Sequence, residues 1–251
     1  LSQPIDLPDS LSPLDLTVGD LDGDGLGDIV ATSLSEHARG LVVFWNSGGY
    51  QFEPETVMAP LRLVDILDEN LDGQPDLVGV TRERDAIWVH RISGRSIDPE
   101  PAVSEDLFDS SVQDMEAAHM DGSGMDVALV SFSRASRRIR ILRAGGLIPD
   151  PVSYFNLPPM MLPADRPSPR SASLAFDDLN GDDRPDIAFI DLEAIQVHLG
   201  LGGAELVPLR HAVTSQPAER VVAGDFTGDG SADLLAVGTG SQTIQLLRGV
   251  P

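Results

Sequence analysis

The stretch from Asp20 to Asp28, "DLDGDGLGD", sets aspartates at relative positions 1, 3, 5 and 9, and this spacing returns along the chain at intervals of about fifty residues. "DENLDGQPD" places Asp68, Asn70, Asp72 and Asp76 at the same four positions, "DLNGDDRPD" places Asp178, Asn180, Asp182 and Asp186, and "DFTGDGSAD" places Asp225, Thr227, Asp229 and Asp233. Carboxylates this close repel unless solvent or a cation lies between them. A tight turn that aims oxygens from positions 1, 3, 5 and 9 inward, with the carbonyl of position 7 (Leu26, Gln74, Arg184 or Ser231), makes an all-oxygen shell. Such a shell suits a hard cation, Ca²⁺ above all, at about 2.3–2.6 Å. The EF-hand loop is excluded, because position 12 of the first loop is Ala31 rather than a bidentate glutamate and no helical pattern flanks it.

Every loop runs into a short apolar stretch, "IVAT", "LVGV", "IAFI" or "LLAV", and a second stretch follows: "LVVFW", "IWVHR", "IRILR", "IQVHL" or "IQLLR". Another short strand precedes each loop, as in "LDLTVG", "LRLVDI" and "RVVAG". Several short strands per unit, without helical periodicity, predict a propeller blade or a similar β-array. A fifth copy of the loop, "HMDGSGMD", keeps Asp121 and Asp126 but is one residue short and has His119 at the first position, so it is expected to hold no metal.

These loops and strands resemble the calcium-binding repeats of the FG-GAP and VCBS type, found in the integrin α-subunit propeller and in bacterial surface and secreted proteins. The resemblance implies an all-β fold with four-stranded antiparallel blades, the Ca²⁺ loop joining the innermost strand of each blade to the next. Counted this way, the chain is a single β-propeller of five blades, at about 11–58, 59–105, 110–158, 170–213 and 217–251. The last unit lacks an outer strand, and "LSQPIDLP" resembles the outer strands elsewhere, so residues 1–9 are expected to complete the fifth blade and close the ring.

About four Ca²⁺ ions are therefore expected; they would bring the formal charge from −23 to −15. A chain that stays this acidic is a poor partner for nucleic acid or an anionic membrane. No apolar run is long enough for a transmembrane helix, and no leader is recognisable at Leu1, as in a mature or trimmed chain. Cysteine is absent, so metal takes the place of disulfides, which suits a compartment rich in Ca²⁺: extracellular, cell-surface or periplasmic.

Catalysis is not expected. Asp15, Asp114 and Glu116, on inner strands, are the carboxylates a propeller glycosidase would use, but aromatic residues are only 5% of the chain, too few for a sugar-binding groove. His90 and His198 hold the same place in the third strand as Phe44, Leu142 and Leu247, which reads as packing. Trp45 and Trp88 fall at non-equivalent positions, so no stacking platform recurs for a lectin, although glycan binding at a single site stays open. The expected role is a binding or scaffold module for a protein partner in a surface or secreted assembly. The irregular third unit is its candidate docking face: Arg134, Arg137 and Arg138 in one hairpin, Met160, Met161 and Leu162 in a proline-rich connector, and an acidic connector from Ser96 to Ser111.

Overall fold

A computed structural model describes residues 12–249 apart from 34–39, 85, 108–111, 120–125, 133–136, 144–152, 157–172, 192–193, 203–205, 213–217 and 239–242. The strands are β1 Pro13–Gly19, β2 Asp28–Ser33, β3 Leu41–Asn46, β4 Phe52–Val57, β5 Leu61–Leu67, β6 Asp76–Thr81, β7 Ala86–Ser93, β8 Ser96–Ile97, β9 Val103–Asp106, β10 Val112–Ala118, β11 Asp126–Phe132, β12 Arg137–Arg143, β13 Ser153–Asn156, β14 Leu174–Asp177, β15 Asp186–Asp191, β16 Ala194–Gly200, β17 Leu206–Ala212, β18 Arg220–Gly224, β19 Asp233–Val237 and β20 Gln245–Leu247. They form small antiparallel sheets of the propeller type, in chain order β1–β4, β5–β8 with β9 also on β7, β10–β13, β14–β17 and β18–β20. The first two belong to one compact unit, Leu1–Ser110, and the other three to a second, Ser111–Pro251. Among the described residues no helix is long and apolar enough to cross a membrane.

The expectation of five four-stranded blades needs correction. Four sheets have four or five strands and are full blades, whereas the last repeat supplies only the three strands β18–β20 among the described residues. Closure by an N-terminal strand is not described, since residues 1–9 lie outside the described residues.

The apolar runs are nearly continuous because both faces of a blade are covered. In the first unit Val30, Leu41, Val43 and Trp45 from the first sheet meet Leu61, Val64, Leu77 and Ile92 from the second. Ala31, Val42 and Phe44, which alternate with them, form a separate cluster on the opposite face. In the second unit Ala175, Ala188, Ile190 and Val197 of the fourth sheet join Val221, Leu234 and Ala236 of the fifth. Removal of this apolar surface from water is the main favourable term holding neighbouring sheets together.

A polar latch recurs beside that core, five residues before three of the loops. Asp15 accepts the backbone N–H of Val64 in the next sheet at 2.9 Å, and Asp114 accepts that of Leu174 at 2.8 Å. Ser173 does the same for Val221 at 3.1 Å, while its hydroxyl donates to the Val221 carbonyl at 3.2 Å. Two of the carboxylates considered for catalysis, Asp15 and Asp114, are therefore engaged in holding one sheet to the next.

The second sheet shows how proline reshapes an outer strand. Residues expected to be a connector into the third unit instead form its edge: β8 pairs with the end of β7 and β9 with its beginning. Between them lie Pro99 and Pro101, which have no N–H for the ladder and split the strand. The carbonyl of Asp98 faces the break, and the buried His90 ring donates its Nδ1–H to it at 2.8 Å. A carbonyl can only accept, so this fixes the tautomer and leaves Nε2 buried without a hydrogen bond. His198, at the same register, packs its ring against Phe189 with centroids 5.2 Å apart.

Burial pushes the His90 pKa below its ordinary value, while the Asp98 hydrogen bond and the charges of Asp98 and Glu100 pull it back. A folded pKa below the unfolded one means that the unfolded chain binds the proton first. The contribution to stability is then complete above about pH 6.5 and is lost as pH falls through the folded value. Replacement by leucine, the residue found at this register in Leu142 and Leu247, should flatten that loss. Urea unfolding at pH 7.5 and pH 5 is expected to show a smaller drop for His90→Leu than for the parent chain.

Candidate metal centres

Each acidic loop closes the hairpin between the first two strands of its sheet, with position 9 as the first residue of the second strand. That residue is buried in every repeat: Asp28, Asp76, Asp186 and Asp233, and also Asp126 of the shortened copy. Its carboxylate joins two parts of the blade. Asp28 accepts the N–H of Leu21 at the start of the loop (3.0 Å) and that of Asn46 at the end of β3 (2.7 Å). Asp186 accepts those of Leu179 (3.0 Å) and Gly200 (2.8 Å), and Asp233 those of Thr227 and Gly249, both at 3.0 Å. Asp76 accepts from Glu69 at 3.1 Å through Oδ2, and the Arg91 guanidinium donates to that same oxygen.

Position 1 gathers the turn. Asp20 accepts from Gly23 and Gly25, Asp68 from Asp72 and Gly73, Asp178 from Gly181, Asp182 and Asp183, and Asp225 from Gly228, Asp229 and Gly230. Position 5 accepts the N–H of position 7 in all four loops: Asp24 from Leu26, Asp72 from Gln74, Asp182 from Arg184 and Asp229 from Ser231. At position 3, Asp22, Asn70 and Asn180 each accept the N–H two residues on.

This winding needs a left-handed backbone at positions 4 and 6. Glycine meets the need at Gly23, Gly25, Gly73, Gly181, Gly228 and Gly230, but Leu71 (φ 60°) and Asp183 (φ 62°) adopt it with a side chain.

The donor set fits a hard cation, with differences among the loops. Asp20, Asp22 and Asp28 bring one carboxylate oxygen each to within 4.8 Å of one another, the one such acidic trio among the described residues. In the last loop the Thr227 hydroxyl, at ligand position 3, is buried beside the Asp233 carboxylate. At Asp186 burial, reinforced by the charges of Asp182 and Asp178 against the Gly200 and Leu179 amides, pushes the carboxyl pKa up to about 6. Asp178 is held below the usual range: burial opposes this, but the N–H groups of residues 180–183 outweigh it. Of the shortened loop, Asp121 lies outside the described residues, His119 follows the last residue of β10 and Asp126 is buried.

Arginines unforeseen from the loop pattern enter two of the sites. Arg91, on β7 opposite Asp76, also pairs with Glu69 at 2.6 Å. Arg95, in the turn between β7 and β8, reaches the first loop, its Nε 2.7 Å from Asp22. Arg91 was open to detection, since it ends the repeated third strand; Arg95 was not, because its partner is 73 residues away. Among the described residues no ion pair reaches the carboxylates of the loops at 178–186 and 225–233. Of the candidate docking residues, Arg137 and Arg138 open β12, and Arg134, Met160, Met161 and Leu162 lie outside the described residues.

Residues 178–236 match the FG-GAP-like repeat. The match covers that one stretch, and the propeller-type antiparallel sheets of the chain accord with a repeat of this kind. Comparison with curated proteins gives no match. Among solved structures, a lectin of Agrocybe aegerita, described as recognising non-reducing terminal N-acetylglucosamine, is similar at a TM-score of 0.58 and 20% identity, over 94% of this chain and 66% of that one. The chain thus spans just under two thirds of the lectin's length. BBS1N, solved in complex with ARL6DN, aligns at a TM-score of 0.48 and 15% identity, over 76% of this chain and 56% of that one.

Two substitutions test the loop geometry. Leu71 is exposed, so Leu71→Gly gives up little burial and relieves a left-handed backbone; chemical denaturation is expected to show a gain of about 0.5–1 kcal/mol. Gly200 has no room for a methyl, because a Cβ there would sit 2.3 Å from the Pro185 carbonyl oxygen. Gly200→Ala is expected to cost roughly 1–3 kcal/mol in the same measurement, as the strand end is forced away from Asp186.

Proposed function

We propose that this chain is a calcium-stabilised, non-catalytic recognition module that works outside the cytoplasm, binding a protein partner within a surface or secreted assembly. The carrying observation is the common architecture of four loops, each turning side-chain oxygens of positions 1, 5 and 9 around one short turn, with Asp20, Asp22 and Asp28 close enough to share an ion. Asp20, Asp22, Asp24 and Asp28, and their counterparts in the other three loops, would hold the ions. A bound Ca²⁺ would neutralise carboxylates that otherwise repel. Present at a hundredfold excess over its Kd, it would stabilise the native state by about 2.7 kcal/mol per site.

The engagement of Asp15 and Asp114 in latches between sheets supports a non-catalytic role, because neither is free to act as acid or base without loosening the blades. The absence of cysteine supports a metal-stapled chain in a calcium-rich compartment.

Glycan binding is a second reading, favoured by the likeness in fold to the Agrocybe aegerita lectin. Trp45, which is buried, and Trp88, packed against the same core, offer no obvious platform, so a sugar site would have to use other residues.

Calorimetric titration of the chelator-treated chain should give about four Ca²⁺ per chain, and melting in excess chelator should occur at lower temperature than in Ca²⁺. An unchanged melting temperature together with no binding heat would overturn the calcium reading. Retention of the chain on N-acetylglucosamine-terminated glycans, with no protein partner recovered by cross-linking, would replace the first reading with the second.

A further inference from the structure

The first loop already contains a cation, and it comes from another sheet. Arg95 stands beyond Gly94 (φ 55°) at the tip of the β7–β8 turn. Its Nε donates to Asp22 Oδ2 at 2.7 Å, one of its terminal nitrogens lies 3.6 Å from Asp24, and the other lies 3.6 Å from Glu53. The same guanidinium donates to the Asn46 carbonyl at 3.3 Å and stands 5.9 Å from the centre of the Trp45 ring. Asp22 and Asp24 are positions 3 and 5 of the loop, two of the side chains that a divalent ion would need. A guanidinium and a divalent ion cannot both be well satisfied by those oxygens, since each adds positive charge a few ångströms from the other.

We propose that Arg95 is a tethered counter-cation of the first loop, which an incoming divalent ion must displace, so that occupancy of this loop releases the β7–β8 turn from the first sheet. The proposal rests on the reading of the loops as cation sites. By itself the trio of Asp20, Asp22 and Asp28 is a concentration of negative charge that needs compensation, and the arginine provides it when the ion is absent. The bridge also ties the turn of the second sheet to the loop of the first, so it couples cation binding to the position of that turn. By linkage, whatever draws Arg95 away tightens the ion, and the ion in turn frees Arg95. The loops at 178–186 and 225–233 have no such competitor among the described residues and should fill first.

Trp45 makes the first loop observable, because one guanidinium touches both. In a Trp88→Phe background Trp45 is the sole tryptophan, and terbium(III) bound in the first loop should be sensitised through it. Titration of terbium(III) into this chain and into the same chain with Arg95→Gln compares half-saturating concentrations. Removal of one unit charge beside the ion should lower the value by roughly tenfold. Arg95→Lys, which keeps the charge, should stay near the parent. Half-saturation that is unchanged or raised in Arg95→Gln overturns the proposal, since Arg95 would then be a spectator or a support of Asp22. Should Arg95→Gln fail to fold, the Trp88→Phe chain decides: Ca²⁺ must change Trp45 emission as the guanidinium leaves its ring, and constant emission alongside sensitised terbium overturns the displacement. Absence of sensitised terbium in every chain removes the cation reading of the first loop together with this proposal, an outcome distinct from saturation at equal concentrations.

Discussion

Each blade depends on one buried carboxylate. The aspartate that opens the second strand has one oxygen on an amide near the start of the acidic turn and, in three of the four complete loops, the other on an amide at or just beyond the end of the third strand. An ionised group accepting two backbone amides makes strong hydrogen bonds, and leaving those amides buried and unpaired would be costly. The turn can therefore wind as it does only while this residue is in place. The shortened third loop makes the same point from the other side: it has lost the acid at position 1, yet Asp126 is still buried at the head of β11. Position 9 serves the fold whether or not an ion is bound, whereas positions 1, 3 and 5 are exposed or half-buried in a way that leaves them open to one.

Neighbouring sheets are joined by a second device on the same inner strand. Apolar faces supply the area, but area alone does not fix how one sheet slides along another. The acceptor five residues before the loop, Asp15, Asp114 or Ser173, meets a backbone amide of the next sheet and sets that position. In the second sheet the equivalent residue is Leu63, which is buried and has no side-chain acceptor. Such groups look functional in a sequence because they are acids on inner strands. Their partners show that they hold neighbouring sheets in register.

Negative charge is the constraint that the chain meets in two ways. With 40 acidic and 17 basic residues, the loops cannot all be balanced by side chains. The first two use arginines from the second sheet, Arg95 on Asp22 and Arg91 on Asp76 and Glu69. The loops at 178–186 and 225–233 have no ion pair among the described residues, and a carboxyl pushed up to about 6 at Asp186 reflects how poorly burial and neighbouring acids suit its charge. A soluble divalent cation is the natural complement where no side chain is at hand.

By itself the sequence determined the repeat, the strands on either side of each acidic turn, and the positions that face inward, because these follow from local spacing: alternation for strands, a nine-residue period of oxygens for the turn, glycine where φ is positive. It also showed which acids each turn gathers, Asp20, Asp22, Asp24 and Asp28 in the first. Tertiary structure alone decided what depends on a partner far along the chain. Asp15 and Asp114 became latches because the amides of Val64 and Leu174 lie opposite them, 49 and 60 residues away. Pro99 and Pro101 turned an expected connector into a split outer strand, and His90 found its role in the carbonyl that the split exposed. Among the described residues the last sheet has three strands rather than the expected four. Arg95 is the clearest case: nothing near it in sequence is acidic in the right geometry, and only the packing of two sheets brings its charge to the first loop.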